Sequence, residues 1–185
     1  MKPRLLLYCT KAKPYLYKTD DTMIEKMNGD YHTQLNEAVL TENLNGKIVA
    51  ECDFEVEKIM PIDISEDDYN YGLYSGKNLL KYSCLDNDDI CEYLKDYDGE
   101  TILKSGYAIH IKNLNVFDEP REVNKLWQFK RYNTHIKNAP QNMMECYDID
   151  GEYKILISIK PESLCKILNE KKTIEVRKKV LKEML

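Results

Sequence analysis

The sequence predicts a mixed α+β chain, a small β-barrel with short flanking helices, and three observations carry that expectation. KIVAECDFEVEKIMPI from Lys47 and TIEVR over 173–177 alternate in polarity with the period of half-buried strands. RLLLYCT (4–10) and YKILISI (153–159) are short apolar runs and read as further strands. Around 86–97 and from Pro161 onward the apolar residues instead recur at helical spacing. Strands interspersed with short helices suit a small α+β barrel.

Along the chain, residues 4–10 form a buried strand bounded by Pro3 and Lys11. Residues 11–45 are polar, carry Pro14, Gly29 and many Asn and Asp, and read as a long loop with room for one helical turn. Beyond Gly46, Ile48, Ala50, Cys52, Phe54 and Val56 share one face while Lys47, Glu51, Asp53, Glu55 and Glu57 mostly share the other. That pattern predicts a strand of about ten residues. An acidic stretch from Ser65 leads to a helix over 86–97, with Ile90, Tyr93, Leu94 and Tyr97 on one face and Gly99 as its stop signal. GYAIHIKNLNVF (106–117) is strand-like and Pro120 ends it; a short helix carrying Trp127 follows over 121–130. After the strand at 153–159, Pro161 opens a helix whose buried stripe is Leu164, Ile167 and Leu168.

Composition narrows the setting. Of 185 residues 43% are hydrophobic, enough for a substantial core. LLLYC is too short for a secretory leader, and no apolar run approaches membrane-spanning length. The expectation is therefore a cytoplasmic protein that engages no membrane, with its six cysteines reduced. Those cysteines lack any CxxC pair or zinc-like spacing, so neither metal nor cofactor is expected. Net charge is −5, unevenly spread: residues 1–18 and 154–185 each carry +5, leaving −15 for 19–153. Two basic ends that meet in space would make one basic patch.

The residues that could carry chemistry lie at those ends. Thr173, Glu175 and Arg177 alternate onto one face of a strand, Lys172 leads into it, and Lys160 sits where the preceding strand turns into a helix. Lys11 and Lys13 would join them if the barrel closes. Ammonium groups, a guanidinium and a carboxylate in one cleft suit a phosphate or the polar edge of a base. The plainer alternative is that Glu175 and Arg177 form a solvated cross-strand pair and the lysines a charged face. A second stretch, KLWQFKRYNTHIKNAP (125–140), interleaves Lys125, Lys130, Arg131 and Lys137 with Trp127, Phe129, Tyr132 and His135 and contains no acid. It suits a stacking surface for single strands, although Trp127 and Phe129 read first as core anchors. His110, within a strand, reads as a satisfied core histidine, and Cys9 and Cys165 as packing.

Ser158–Glu162 followed by Ile167, Leu168, Lys172, Thr173, Glu175 and Arg177 resembles the ASCH domain, a branch of the PUA-like barrels. LLYCTKAKPYLY (6–17), LNGKIVAEC (44–52), GYAIHI (106–111), VFDEPRE (116–122) and APQ (139–141) extend the resemblance over nearly the whole chain. It implies a single PUA-like domain over 1–185 that binds RNA or a modified nucleobase. Two departures stand out. Glu170 occupies a position the family usually gives to glycine, which leaves Asn169 to supply the helix stop. The motif order is also circularly permuted, so the strand–helix–strand unit at 153–178 would complete the barrel begun by 4–10, in a monomer or a domain-swapped dimer.

Some ASCH proteins resemble amidohydrolases acting on N4-acetylcytidine through a Lys, a Thr and a Glu. The resemblance maps their Lys onto Lys172, but the Thr position holds Glu175, and Thr173 lies elsewhere. Lys172, Thr173 and Glu175 are thus the catalytic candidates of a second reading. A third is a protein-interaction domain working through the acidic middle.

Overall fold

The computed structural model describes residues 2–11, 44, 46–65, 68–96, 102–103, 105–129 and 134–185. Its elements run β1 (Arg4–Cys9), β2 (Ile48–Ser65), β3 (Asp68–Leu73), α1 (Leu79–Ser83), α2 (Asn87–Leu94), β4 (Lys95–Asp96), β5 (Ile102–Leu103) and β6 (Gly106–Arg121). A 3-10 turn at Val123–Lys125 precedes β7 (Trp127–Gln128), β8 (Met143–Tyr147), β9 (Tyr153–Ile159), α3 (Pro161–Leu168), β10 (Ile174–Arg177) and a last 3-10 turn at Lys182–Met184. The molecule is a mixed α+β, sheet-rich structure with few helices. Among the described residues the strand order has two ends, at β10 and β7, and no ladder closes it into the expected barrel.

The chain divides into two compact units, each built from separate segments: residues 1–52 with 114–168, and 53–113 with 169–185. In the first, β1 lies between β2 and β9. It pairs antiparallel with β2 (Leu5 opposite Cys52) and parallel with β9, from Arg4 opposite Lys154 to Cys9 opposite Ile159. Apolar runs in both strands explain the placement, because a strand covered on both faces needs continuous rather than alternating hydrophobicity. Leu6, Tyr8, Ile48, Val123, Leu126, Ile136, Cys146 and Leu156 form one core, and α3 packs on β1 with Leu164, Cys165 and Ile167 buried. β8 pairs antiparallel with β9, and β7 with β8.

The same unit holds a buried ionic cluster. Lys154, the second residue of β9 and only 4% exposed, places Nζ 2.7 Å from Glu152, 3.3 Å from Glu51 and 3.5 Å from Asp148. Arg4, its register partner on β1, binds Glu51 at 2.6 Å. Asp148 also caps the turn into β9, its Oδ1 accepting the N–H groups of Asp150 and Glu152. Burial alone would lower the Lys154 pKa, but Glu152, Glu51 and Asp148 outweigh it and raise the value.

In the second unit β10 pairs antiparallel with β6, from Ile174 opposite His110 to Arg177 opposite Tyr107, and β3 pairs antiparallel with β2. Ile59, Tyr71, Leu73, Leu79, Ile90, Leu94, Ala108, Ile174 and Val176 make its core. Gly106 is required there: a Cβ would lie 2.6 Å from Leu94 Cδ2 and 3.2 Å from the Arg177 carbonyl oxygen. His110, buried on β6, meets Glu57 of β2 with Nε2 3.0 Å from Oε2, as a satisfied histidine does. The Ser75 hydroxyl donates to the same oxygen at 2.9 Å. Burial pushes the Glu57 pKa up, but the Ser75 N–H, the Ser75 hydroxyl and His110 together hold it below its ordinary value.

The terminal strand–helix–strand segment thus takes its partners upstream, β9 on β1 and β10 on β6. Several expectations need correction. β2 has 18 residues rather than ten, because its later part finds partners in β3. β6 passes through Pro120 to Arg121, since a proline close to a strand end removes little pairing. Instead of a helix over 121–130 there is one 3-10 turn, and Trp127 enters β7 because β8 offers it a ladder. α2 ends at Leu94 with Tyr93 exposed; Tyr97 and Gly99 lie outside the described residues, as do 12–43 of the expected loop. Glu170, not Asn169, takes the left-handed conformation after α3, with φ 58°.

Two outcomes are expected. Lys154→Met leaves Asp148 and Glu51 short of their buried cation and destabilises the fold by about 3 kcal/mol in urea titration; a loss below about 1 kcal/mol would mean the cluster is solvated and incidental. Glu57, with its folded pKa depressed, contributes stability that is complete above the ordinary glutamate value of about 4.3 and is lost as pH falls through the lower folded value. The gap between wild-type and Glu57→Gln urea midpoints should therefore be widest above about pH 5 and close in acid. Parallel midpoints from neutral pH to pH 3 would contradict the assignment.

Candidate functional site

β10 and its lead-in gather four of the residues singled out above. Lys172 is 3% exposed and Glu175 8%, while Thr173 and Arg177 are half-buried. Lys172 Nζ lies 2.9 Å from Glu175 Oε2, and an Arg177 guanidinium nitrogen lies 3.0 Å from Glu175 Oε1. One carboxylate thus holds an ammonium on one oxygen and a guanidinium on the other. The backbone fixes this arrangement: the Thr173 N–H donates to the Tyr82 carbonyl at 3.0 Å, and its own carbonyl accepts the Ile111 N–H at 2.9 Å. The ladder to β6 then holds Glu175 opposite Ile109 and Arg177 opposite Tyr107. The solvated cross-strand pair is replaced by a buried ionic group. Glu175 Oε2 keeps its ion pair, yet it has no hydrogen bond of adequate geometry among the described residues.

Two further candidates belong to the first unit. Lys160 caps α3 through its backbone, its carbonyl accepting the Leu164 N–H at 2.9 Å, and its side chain is exposed. Lys11, also exposed, follows β1 and runs its aliphatic stem over Gly46, whose φ of +78° and missing side chain leave room for it. Thr10 donates to the Ile159 carbonyl at 3.0 Å, so Lys11 and Lys160 mark the same end of the parallel β1–β9 pair. Lys13 lies outside the described residues.

For acyl-transfer chemistry the arrangement is unfavourable. A hydroxyl nucleophile needs a neighbouring base, and the Lys172 amine is engaged by the Glu175 carboxylate. Cys9 is packing, as expected, and burial pushes its thiol up to about 11. Cys146 is pushed up to about 12, again chiefly by burial, so neither supplies a thiolate nucleophile. Among the described residues no group of three or more His, Cys, Asp or Glu is arranged to hold a metal, and no helix is long and apolar enough to cross a membrane.

Within 125–140, Trp127 and Phe129 are half-buried rather than core anchors, and Lys125, Lys137 and His135 are exposed; Lys130, Arg131 and Tyr132 lie outside the described residues. Sequence reasoning missed the tyrosines that Phe129 meets, Tyr147 and Tyr153, the first also the register partner of Trp127. Among 14 tyrosines nothing in local context distinguishes those two. It also missed the Lys154 cluster; a lysine inside an apolar run was the available signal. No family model, curated protein or solved structure matches this chain.

Proposed function

We propose that this chain is a nucleic-acid-binding module, directed at RNA, that engages the polar edge of a base, a modified nucleobase included, through Lys172, Glu175 and Arg177. The ionic group around Glu175 carries this reading. Burying two cations and a carboxylate costs desolvation that their mutual attraction seldom exceeds, so stability alone is a poor reason for the group. A buried acceptor short of a hydrogen bond is a place where another donor fits. An edge presenting N–H groups to Glu175 and a carbonyl to Lys172 or Arg177 complements the set, whereas a phosphate alone would face the carboxylate. Lys11 and Lys160, exposed on the first unit, are assigned to phosphate contacts. The same proposal covers the fold family: an ASCH-type, PUA-like arrangement with permuted motif order, supported by the upstream partners of β9 and β10.

Fluorescence anisotropy with a labelled single-stranded RNA tests the reading. Lys172→Met/Arg177→Met should weaken binding roughly tenfold or more at fixed salt, as loss of a bidentate base contact does. Replacing Lys11 and Lys160 by Gln should lower the salt dependence by about 0.7 per contact. Unchanged affinity and slope in the first variant, with the fold intact by circular dichroism, would remove the β10 site from the proposal. The catalytic alternative predicts acetate release from N4-acetylcytidine. With Glu175 in the nucleophile position we expect none above background; turnover abolished by Lys172→Ala would favour the enzyme instead.

A further inference from the structure

The first unit carries a second arrangement, separate from β10, in the stretch from Val123 to Met144, which contains four basic residues and no acidic one. The ladder sets Trp127 opposite Tyr147 and Tyr147 opposite Tyr153, and an isolated bridge sets His135 opposite Trp127. Directly paired residues project from the same face of a sheet. His135, Trp127, Tyr147 and Tyr153 therefore form one transverse row of rings. At about 4.8 Å between strands the row spans roughly 14 Å.

The rings make contact in two groups. Trp127 and His135 stack with centroids 3.7 Å apart at 29°, and Tyr147 and Tyr153 lie 6.2 Å apart, with Phe129 5.5 Å from the first and 5.0 Å from the second. None of the five belongs to the buried core: His135 is exposed and the others are half-buried. The cations are placed by the backbone. Ile136 donates to the Leu126 carbonyl at 2.9 Å and Gln128 to the Thr134 carbonyl at 2.8 Å, which brings Lys125 and Lys137 to the same end of the row, both exposed. At the other end Glu145 is engaged by the Tyr153 hydroxyl at 2.7 Å.

We infer that this row is a stacking platform for the unpaired bases of a single-stranded nucleic acid, with Lys125 and Lys137 on its phosphates. Planar side chains in a line offer every base a π-face whatever its sequence, and flanking lysines supply the sequence-independent attraction. Charge complementarity selects this occupant: a local excess of exposed lysine on a chain of net charge −5 suits a polyanion. A duplex, with its bases already stacked, cannot use the rings. The inference does not rest on the β10 site.

Trp127 is the chain's only tryptophan, so its emission reports on the platform directly. Titration with a single-stranded adenine dodecamer should quench that emission, while the same strand annealed to its complement, or an abasic sugar–phosphate oligomer, should leave it nearly unchanged. By anisotropy, Trp127→Phe should keep most of the affinity. Trp127→Leu, which is apolar but has no π-face, should lose roughly fivefold or more. Lys125→Gln/Lys137→Gln should lower the salt slope by about 1.4. The Lys172→Met/Arg177→Met variant should retain the full quench, which separates this proposal from the β10 reading. Equal affinity of the Phe and Leu variants, quenching by the abasic oligomer, or equal binding of duplex would each overturn it and leave the rings as a packing cluster.

Discussion

The parallel pairing of β1 with β9 is the constraint from which the rest of the first unit follows. β1 is covered on both faces and pairs on both edges, so it can sit only where β2 and β9 flank it. Pairing Arg4 with Lys154 puts two cations side by side at one end of a buried ladder, and carboxylates from β2 and from the turn before β9 must converge to balance them. At its other end the pair delivers Lys11 and Lys160 to one exposed rim. The β9 face that begins at Tyr153, followed across β8 and β7, sets the spacing of the aromatic rings. One register thus fixes a charge cluster, a basic rim and a row of rings.

Charge is treated differently in the two units. Around Lys154 the carboxylates outnumber the ammonium, and Arg4 shares Glu51, so the cluster has the composition of a structural element. Around Glu175, Lys172 and Arg177 each engage one carboxylate oxygen, and Oε2 lacks a hydrogen bond of adequate geometry among the described residues. Satisfied buried polar networks rigidify a core, whereas a buried acceptor short of a hydrogen bond carries an uncompensated desolvation cost.

How much of this the sequence revealed depended on whether the signal was local. β1, β9 and α3 were legible because each is a short run whose burial is written in its own residues, and the β10 candidates were legible because they stand within six positions of one another. Their burial was not, since it depends on β6 and α1, and Glu175 read alone looks like a solvated acid. β8 and β3 gave no periodic signal; β8 is half-buried at every residue but Cys146. Trp127 was assigned to a helix because its neighbours permit one, and only β8, some twenty residues later, turns it into a strand residue facing Tyr147. The carboxylates around Lys154 come from positions 51, 148 and 152, a grouping no spacing rule contains.

Both units are discontinuous in sequence, and this bears on how the chain becomes ordered. Arg4 and its partner Lys154 are 150 positions apart, and the entire 53–113 segment intervenes before the first unit resumes. The second unit is likewise incomplete until β10 joins β6. Contacts at such separation require large loops to close before any stabilisation is gained, which slows folding. During synthesis β1 leaves the ribosome long before β9, and β6 before β10, so an edge of each waits unpaired until its partner strand is made. The interval before β9 and β10 pair is when these strands are most exposed to aggregation.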